Sequence, residues 1–231
     1  MIIVFFMLTL GIDDAGRGPL IGPMILAGVL LDKNGETFLK KYSVKDSKML
    51  EHPTRVKLSK IINESALTHH VVKSYPEEID EAVDGGMNLN TLEAMKCAEI
   101  INAINSGKYK KEKIKVIVDC PSVNIAAWRN KLLEFVDSGE NLQVVCEHKA
   151  DANHLSVSAA SIVAKVVREE EVALLKKKYG DIGSGYPSDP YTKKFLVEHG
   201  NSLRDSGIFR KSWATWKEVF PDKKQKTLDG F

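Results

Sequence analysis

Residues 2–31 read IIVFFMLTLGIDDAGRGPLIGPMILAGVLL, and this stretch decides the fold. Two apolar runs rich in β-branched residues, Ile2 to Ile12 and Met24 to Leu31, flank a segment punctuated by Gly16, Gly18, Pro19, Gly22 and Pro23. Apolar runs of this length bounded by turn residues are buried strands, and the punctuation between them is a loop. The run Met1 to Leu10 falls far short of the roughly 20 residues that span a bilayer, and it lacks the basic start of a signal peptide. It is therefore expected in a core. The first strand runs out at Asp13 and Asp14, two carboxylates at the mouth of a glycine-rich loop.

Outward from this stretch, Pro53 to Ile62 predicts a short helix begun by proline, His69 to Tyr75 a strand, and Leu89 to Ile104 a longer helix with Leu92, Met95, Ile101 and Ile104 on one face. Ile114 to Val118 is a compact strand that stops at Asp119, Ile125 to Val136 a helix, and Leu142 to Cys146 a strand. A long helix from about His154 to Tyr179 follows. Alternating strands and helices favour an α/β core with parallel strands at its centre, after an opening group that pairs antiparallel. Beyond Gly180, a short helix at Tyr191 to Glu198 and an aromatic segment at Phe209 to Trp216 make a smaller helical part. The expected division is a catalytic domain over 1–180, a helical C-terminal part over 181–220 and a flexible tail over 221–231.

The chain has 231 residues, 43% of them hydrophobic, enough for one substantial core. A formal charge of +2 announces no global affinity for nucleic acid. Lysines gather locally at Lys108 to Lys115, Lys176 to Lys178 and Lys223 to Lys226, where solvated helix faces are the simpler reading. Cys97, Cys120 and Cys146 are widely spaced and form no Cys-x-x-Cys pair, which fits a reducing cytoplasm. None of the six histidines has a metal-ligand spacing.

The aspartates carry the chemistry. If the strands ending at Asp13, Asp14 and Asp119 are parallel neighbours, their carboxylates meet at one sheet edge, where open α/β sheets bind ligands. Asp151 precedes the small-residue helix from Ser156 to Lys165 and adds a fourth carboxylate. Hard oxygen ligands on divergent elements suit Mg2+ or Mn2+. Unneutralised, four such groups repel and take up protons. Two divalent cations would cancel that charge and place the site in phosphodiester hydrolysis. Taken singly, each aspartate is also what an Asx turn or a helix cap requires.

Gly11-Ile12-Asp13-Asp14-Ala15-Gly16-Arg17-Gly18-Pro19 resembles the opening motif of the ribonuclease HII family, whose usual form is Asp-Glu-Ala-Gly-Arg-Gly. Further segments resemble that family in the same order: Lys45-Asp46-Ser47-Lys48, Val118-Asp119, Lys149-Ala150-Asp151-Ala152, the Ser158 to Lys165 helix, and Gly185-Tyr186-Pro187-Ser188-Asp189. Together they span about residues 8 to 216. The resemblance implies a ribonuclease H-like fold, a mixed five-stranded sheet flanked by helices with a small helical C-terminal part. It implies metal ligands at Asp13, Asp14, Asp119 and Asp151, contacts from Gly16, Arg17 and Gly18 to a ribonucleotide 2′-hydroxyl and adjoining phosphates, Tyr186 packed on the sugar, and Lys48 on a phosphate. The implied activity is a two-metal endonuclease acting on the RNA strand of RNA/DNA hybrids and on duplex DNA with embedded ribonucleotides, leaving 3′-hydroxyl and 5′-phosphate ends. The protein is expected to be a cytoplasmic monomer.

Asp14 departs from the family's glutamate by one methylene. A compensating backbone shift or a preference for Mn2+ is expected, since Mg2+ tolerates little distortion of its shell. The alternative function follows from the same departure: a hybrid-binding adaptor weakened at its metal site and tethered to the sliding clamp. The tail supplies the tether. Gln225, Leu228 and Phe231 match the first, fourth and seventh positions of the motif by which replication proteins dock on that clamp, and a segment of this kind can order on binding. The usual second aromatic is absent after Phe231, so the contact is expected to be weak. Trp213 and Trp216 are read as core anchors. The tail and the form of the Tyr186 loop lean toward the archaeal branch of the family.

Overall fold

In the computed structural model, which describes residues 7–42, 44 and 50–221, the opening strand lies at the centre of a five-stranded mixed sheet. The elements run β1 (Leu8–Ala15), β2 (Met24–Leu31), α1 (Lys33–Leu39), α2 (His52–Ser65), β3 (Thr68–Ser74), α3 (Pro76–Asp84), α4 (Leu89–Ile104), β4 (Ile114–Asp119), α5 (Ile125–Glu134), β5 (Leu142–Glu147), α6 (Ala150–Asn153), α7 (Leu155–Tyr179), α8 (Pro190–His199) and α9 (Ala214–Val219). Strand order is β3-β2-β1-β4-β5. The antiparallel opening pair is as expected, with Asp13 opposite Ala27. The β1–β4 and β4–β5 pairs are parallel, with Ile12 opposite Val118 and Val118 opposite Cys146.

All eight residues of β2 are buried, the mark of a strand covered on both faces. Burying a side chain of the Ile, Leu or Val type contributes roughly 1.5–3 kcal/mol, so this strand alone is a large part of the driving force. The first twelve positions of α7 are likewise buried except Lys165, and their composition explains how closely the helix approaches. Ser156, Ser158, Ala159, Ala160, Ser161 and Ala164 let its backbone reach β1. A Cβ on Gly11 would stand 2.1 Å from the carbonyl carbon of Ser156 and 2.2 Å from the amide nitrogen of Val157. Gly11 is therefore a packing requirement.

The chain divides into two compact units, neither continuous in sequence. One gathers β1 with Ile25–Lys73 and Leu89–Arg168; the other gathers Gly16–Met24, Ser74–Asn88 and the chain from Glu169 onward. The first holds the sheet and an apolar cluster around Ile25, Val29, Leu31, Ile62, Ala160 and Val163. The second holds its own cluster, Leu20, Ile21, Ile182, Phe195, Phe209 and Trp216 among its members. Trp216 is thus a core anchor, with its ring centroid 5.0 Å from that of Phe209.

Four short helices, α1, α3, α6 and α9, were not expected as separate elements. α1 begins with a cap by Asp32, whose carboxylate accepts from the Gly35 amide at 2.7 Å, but an internal glycine disguises it. α3 carries Pro76 in its first turn with Glu77 and Glu78, a favourable helix start whose short acidic sequence buries only Pro76, Ile79 and Asp80. The first strand extends past Ile12 and so includes both aspartates; its expected beginning at residues 2–6 lies outside the described residues.

Candidate active site

Asp13 on β1, Asp119 at the end of β4 and Asp151 on α6 come together, each offering a carboxylate oxygen within 4.8 Å of the others. The register explains the first two. Ile12 pairs with Val118 in the parallel ladder, so the next residue of each strand is an aspartate beside an aspartate. Asp119 also shapes the third: its Oδ1 accepts from the Ala150 amide at 3.1 Å, holding the start of α6 against the strand end. Lys149, just before α6, is the non-glycine residue with a positive φ (56°) among the described residues. A side chain in that region costs on the order of 1 kcal/mol or more, and here the turn brings Asp151 to the cluster.

Asp13 is 7% exposed and Asp151 4%. Burial, with the charges of Asp14 and Asp119, pushes the Asp13 carboxyl up to about 8, against the opposing pull of hydrogen bonds from the Ser161 hydroxyl and the Asp14 amide, the latter at 2.8 Å. Ser161 in turn accepts from Lys165 Nζ at 2.8 Å. The donor set is entirely hard oxygen and close-packed, which fits a divalent cation of the magnesium or manganese type. Asp14 is not in the three-carboxylate group, since successive strand residues face opposite ways. It is half-buried and still raises Asp13 electrostatically.

Sequence reasoning passed over Glu93 of α4, which is 2% exposed. Burial first, then the charge of Glu93 and those of Asp14 and Asp13, raise the Cys97 thiol well above its ordinary range. Burial pushes the Cys146 thiol up to about 12, so these cysteines are inert core residues and not nucleophiles. A glutamate inside a helix gives no sequence signal of burial. His154 pairs with Glu147, and His148 Nδ1 lies 2.9 Å from the Cys120 carbonyl, structural roles in keeping with the absence of a histidine ligand motif.

The second unit contains the glycine-rich loop. Gly16 has a φ of 83°, Gly18 is exposed, and a Cβ on Gly18 would stand 3.7 Å from Cε1 of the Tyr186 ring. Structure therefore places Tyr186, 38% exposed, beside the loop. The Gly185 carbonyl accepts from the Leu20 and Ile21 amides at 2.8 and 3.2 Å, which joins the two segments. Asp189 stiffens the tyrosine turn by accepting from the Ser184 amide at 2.6 Å and the Tyr191 amide at 2.9 Å. The Ser184 side chain first, and then these amides, hold its carboxyl below the usual range.

The loop has a buried support that sequence reading missed. Arg210, 0% exposed, donates to the carbonyls of Gly16 (2.7 Å), Arg17 (2.7 Å) and Gly22 (3.1 Å from Nε, 2.9 Å from Nη2). Trp213 Nε1 donates to the Gly18 carbonyl at 3.1 Å, and its ring centroid is 5.0 Å from the Arg210 guanidinium carbon. Lys48, Gln225, Leu228 and Phe231 lie outside the described residues.

A family model described as Ribonuclease HII matches residues 10–216. A ribonuclease HII from Methanocaldococcus jannaschii is 36% identical over 230 residues, covering 96% of this chain and 99% of the relative. Among solved structures, the ribonuclease H2 from Pyrococcus horikoshii OT3 superposes with a TM-score of 0.82 at 37% identity, covering 92% of this chain and 97% of that one. The ribonuclease HII in a PCNA:RNase HII complex from Archaeoglobus fulgidus gives a TM-score of 0.78 at 38% identity, covering 97% and 100%. No helix among the described residues is long and apolar enough to cross a membrane.

Proposed function

Since the chain belongs to the ribonuclease HII family, and with it to the ribonuclease H endonucleases, we propose that it hydrolyses the RNA strand of RNA/DNA hybrids and incises duplex DNA beside embedded ribonucleotides by a two-metal reaction. The products are a 3′-hydroxyl and a 5′-phosphate. The observation that carries this reading is the convergence of Asp13, Asp119 and Asp151 from three separate elements.

In this proposal Asp13, Asp119 and Asp151, with Asp14 close by on β1, would together hold two divalent ions, Mg2+ or Mn2+. When bound, such ions would supply the charge that neutralises the cluster and the water activation for an in-line displacement at phosphorus. Ser161 keeps Asp13 oriented and favours its ionised, ligating form. Gly16, Arg17 and Gly18 contact the ribose 2′-hydroxyl and adjoining phosphates, Tyr186 packs on the sugar at the RNA-to-DNA junction, and Lys48 contacts a phosphate. The 2′-hydroxyl is the group that distinguishes the substrate from DNA. The Archaeoglobus relative forms a complex with PCNA, which supports docking of this chain on a sliding clamp through Gln225, Leu228 and Phe231.

One assay tests the core of the reading. A duplex with a single ribonucleotide, incubated with Mg2+ or Mn2+, should be cut at that ribonucleotide while the all-DNA duplex stays intact. Cleavage of both, or of neither, counts against it.

A further inference from the structure

Arg210 is an arginine taken wholly out of solvent, and its guanidinium donates to carbonyl oxygens of one loop. Its guanidinium reaches three carbonyls of the Gly16–Gly22 turn, while Trp213 takes a fourth, that of Gly18. Desolvating a guanidinium is costly, so the segment that carries it is tied down. Arg210 N–H donates to the Leu20 carbonyl at 2.8 Å, and Gly22 N–H to the Ile208 carbonyl at 2.9 Å. Just beyond it, the Asp80 carboxylate accepts from the Lys211 and Ser212 amides at 2.7 and 2.9 Å.

The consequence follows from the planar peptide. In a trans peptide the C=O of one residue and the N–H of the next point in opposite directions, and no described peptide is cis. Turning the Gly16 carbonyl onto Arg210 therefore directs the Arg17 N–H to the other side of the loop, and turning the Arg17 carbonyl directs the Gly18 N–H the same way. The other two held carbonyls, Gly18 and Gly22, precede Pro19 and Pro23, which have no N–H. So the clamp sorts the loop into acceptors facing the guanidinium and two adjacent amide donors facing away, in a loop whose Gly18 has the Tyr186 ring as a neighbour.

We infer that Arg210, assisted by Trp213, is the positioning residue for sugar discrimination: it fixes the loop so that the Arg17 and Gly18 amides are presented together to ribonucleotide oxygens. Lysine cannot replace it, because a single ammonium lacks the planar fork of donors that spans several carbonyls. The inference rests on the proposed role of the Gly16-Arg17-Gly18 loop in binding the ribonucleotide.

The test is a titration in EDTA of the full chain against two duplexes, one with a single ribonucleotide and one all DNA, for the wild type, Arg210→Lys, Arg210→Gln and Trp213→Phe. Melting temperatures with and without Mn2+ accompany it. Arg210→Lys and Arg210→Gln should lose roughly tenfold in preference for the ribonucleotide duplex, the loss of about one hydrogen bond to each amide, while binding the DNA duplex as before and keeping the Mn2+-induced rise in melting temperature. Trp213→Phe, which keeps the ring over Arg210 but loses the donor to Gly18, should show a smaller loss in the same direction. An unchanged preference in a folded Arg210 variant overturns the inference and leaves the functional reading standing. If neither Arg210 variant folds, an unchanged preference in Trp213→Phe overturns it. A wild type with no preference for the ribonucleotide brings down the functional reading and this inference with it.

Discussion

The Asp119 carboxylate accepts a hydrogen bond from the Ala150 amide at 3.1 Å, so one side chain both offers an oxygen to the acidic cluster and fastens the helix that carries Asp151. Structural and ligating duties can be separated by substitution. Asp119→Asn keeps an acceptor for Ala150 and removes one negative charge. It should fold, with a melting temperature in EDTA at or above that of the wild type. Cleavage of the ribonucleotide duplex should fall by at least roughly a hundredfold, and the rise in melting temperature on adding Mn2+ should vanish. A variant that keeps that rise would show that Asp119 is not a ligand.

Asp13 gives the molecule a stability that depends on pH when metal is withheld. Its folded-state value of about 8 lies above the ordinary 3.8, so between these limits the folded form keeps a proton that the unfolded form has lost. Stability is then expected to fall as pH rises from about 4 to about 8 and to level off above. Melting curves in EDTA across this range should show the decline, Asp13→Asn should flatten it, and Mn2+ should offset it. Ser161→Ala removes a hydrogen bond that favours the ionised form, so the pH at which Mn2+ begins to stabilise the protein should move upward. A fixed midpoint in that variant would contradict the role given to Ser161.

Gly11→Ala should be among the most damaging single-methyl changes in the chain. The added carbon would fall 2.1 Å from a backbone carbon of α7, and neither strand nor helix can retreat without breaking the packed core. A loss above about 4 kcal/mol in chemical denaturation, or failure to fold, is the expected result. Near-native stability would mean that β1 and α7 have room to part.

Asp14→Glu restores the longer carboxylate of the family pattern. Rates measured in Mg2+ and in Mn2+ should change unequally, with the Mg2+ rate gaining more, because the ion with the stricter octahedral shell is the one more sensitive to ligand reach. Identical gains in both metals would remove the link between Asp14 and metal choice.

Deleting residues 225–231 should weaken binding to a replication sliding clamp by at least roughly tenfold in a titration. Unchanged affinity would dismiss Gln225, Leu228 and Phe231 as anchors.

Much of this architecture was written in plain view. Strand runs that stop at Asp13 and Asp119 were legible because an apolar run and its polar terminus obey the same local physics wherever they occur, and the parallel β1–β4 pairing then brings the two carboxylates together. Two adjacent apolar runs separated by a glycine and proline segment left an antiparallel opening pair open, and β1 and β2 form it. Other features depend on distant partners and left no trace. Arg210, in a segment with Lys211 and Trp213, reads as a surface cation until the carbonyls of residues 16–22 fold over it. Glu93 looks like any helix glutamate until the apolar face of α4 buries it. Asp14 sits beside Asp13 in sequence, yet strand pleating keeps it out of the three-carboxylate group.

The second unit is assembled from three lengths of chain: Gly16–Met24, Ser74–Asn88 and the stretch from Glu169. Its C-terminal helices are consequently not a cassette that recombination or engineering could exchange alone. A chimera that imported α8 and α9 from a relative would have to accept this chain's Leu20 and Ile21 as neighbours, and a graft joined at residue 180 would inherit mismatched seams at two earlier places. Transplantable pieces of this protein are defined by its clusters, and a splice that respects only the order of residues would cut through one of them.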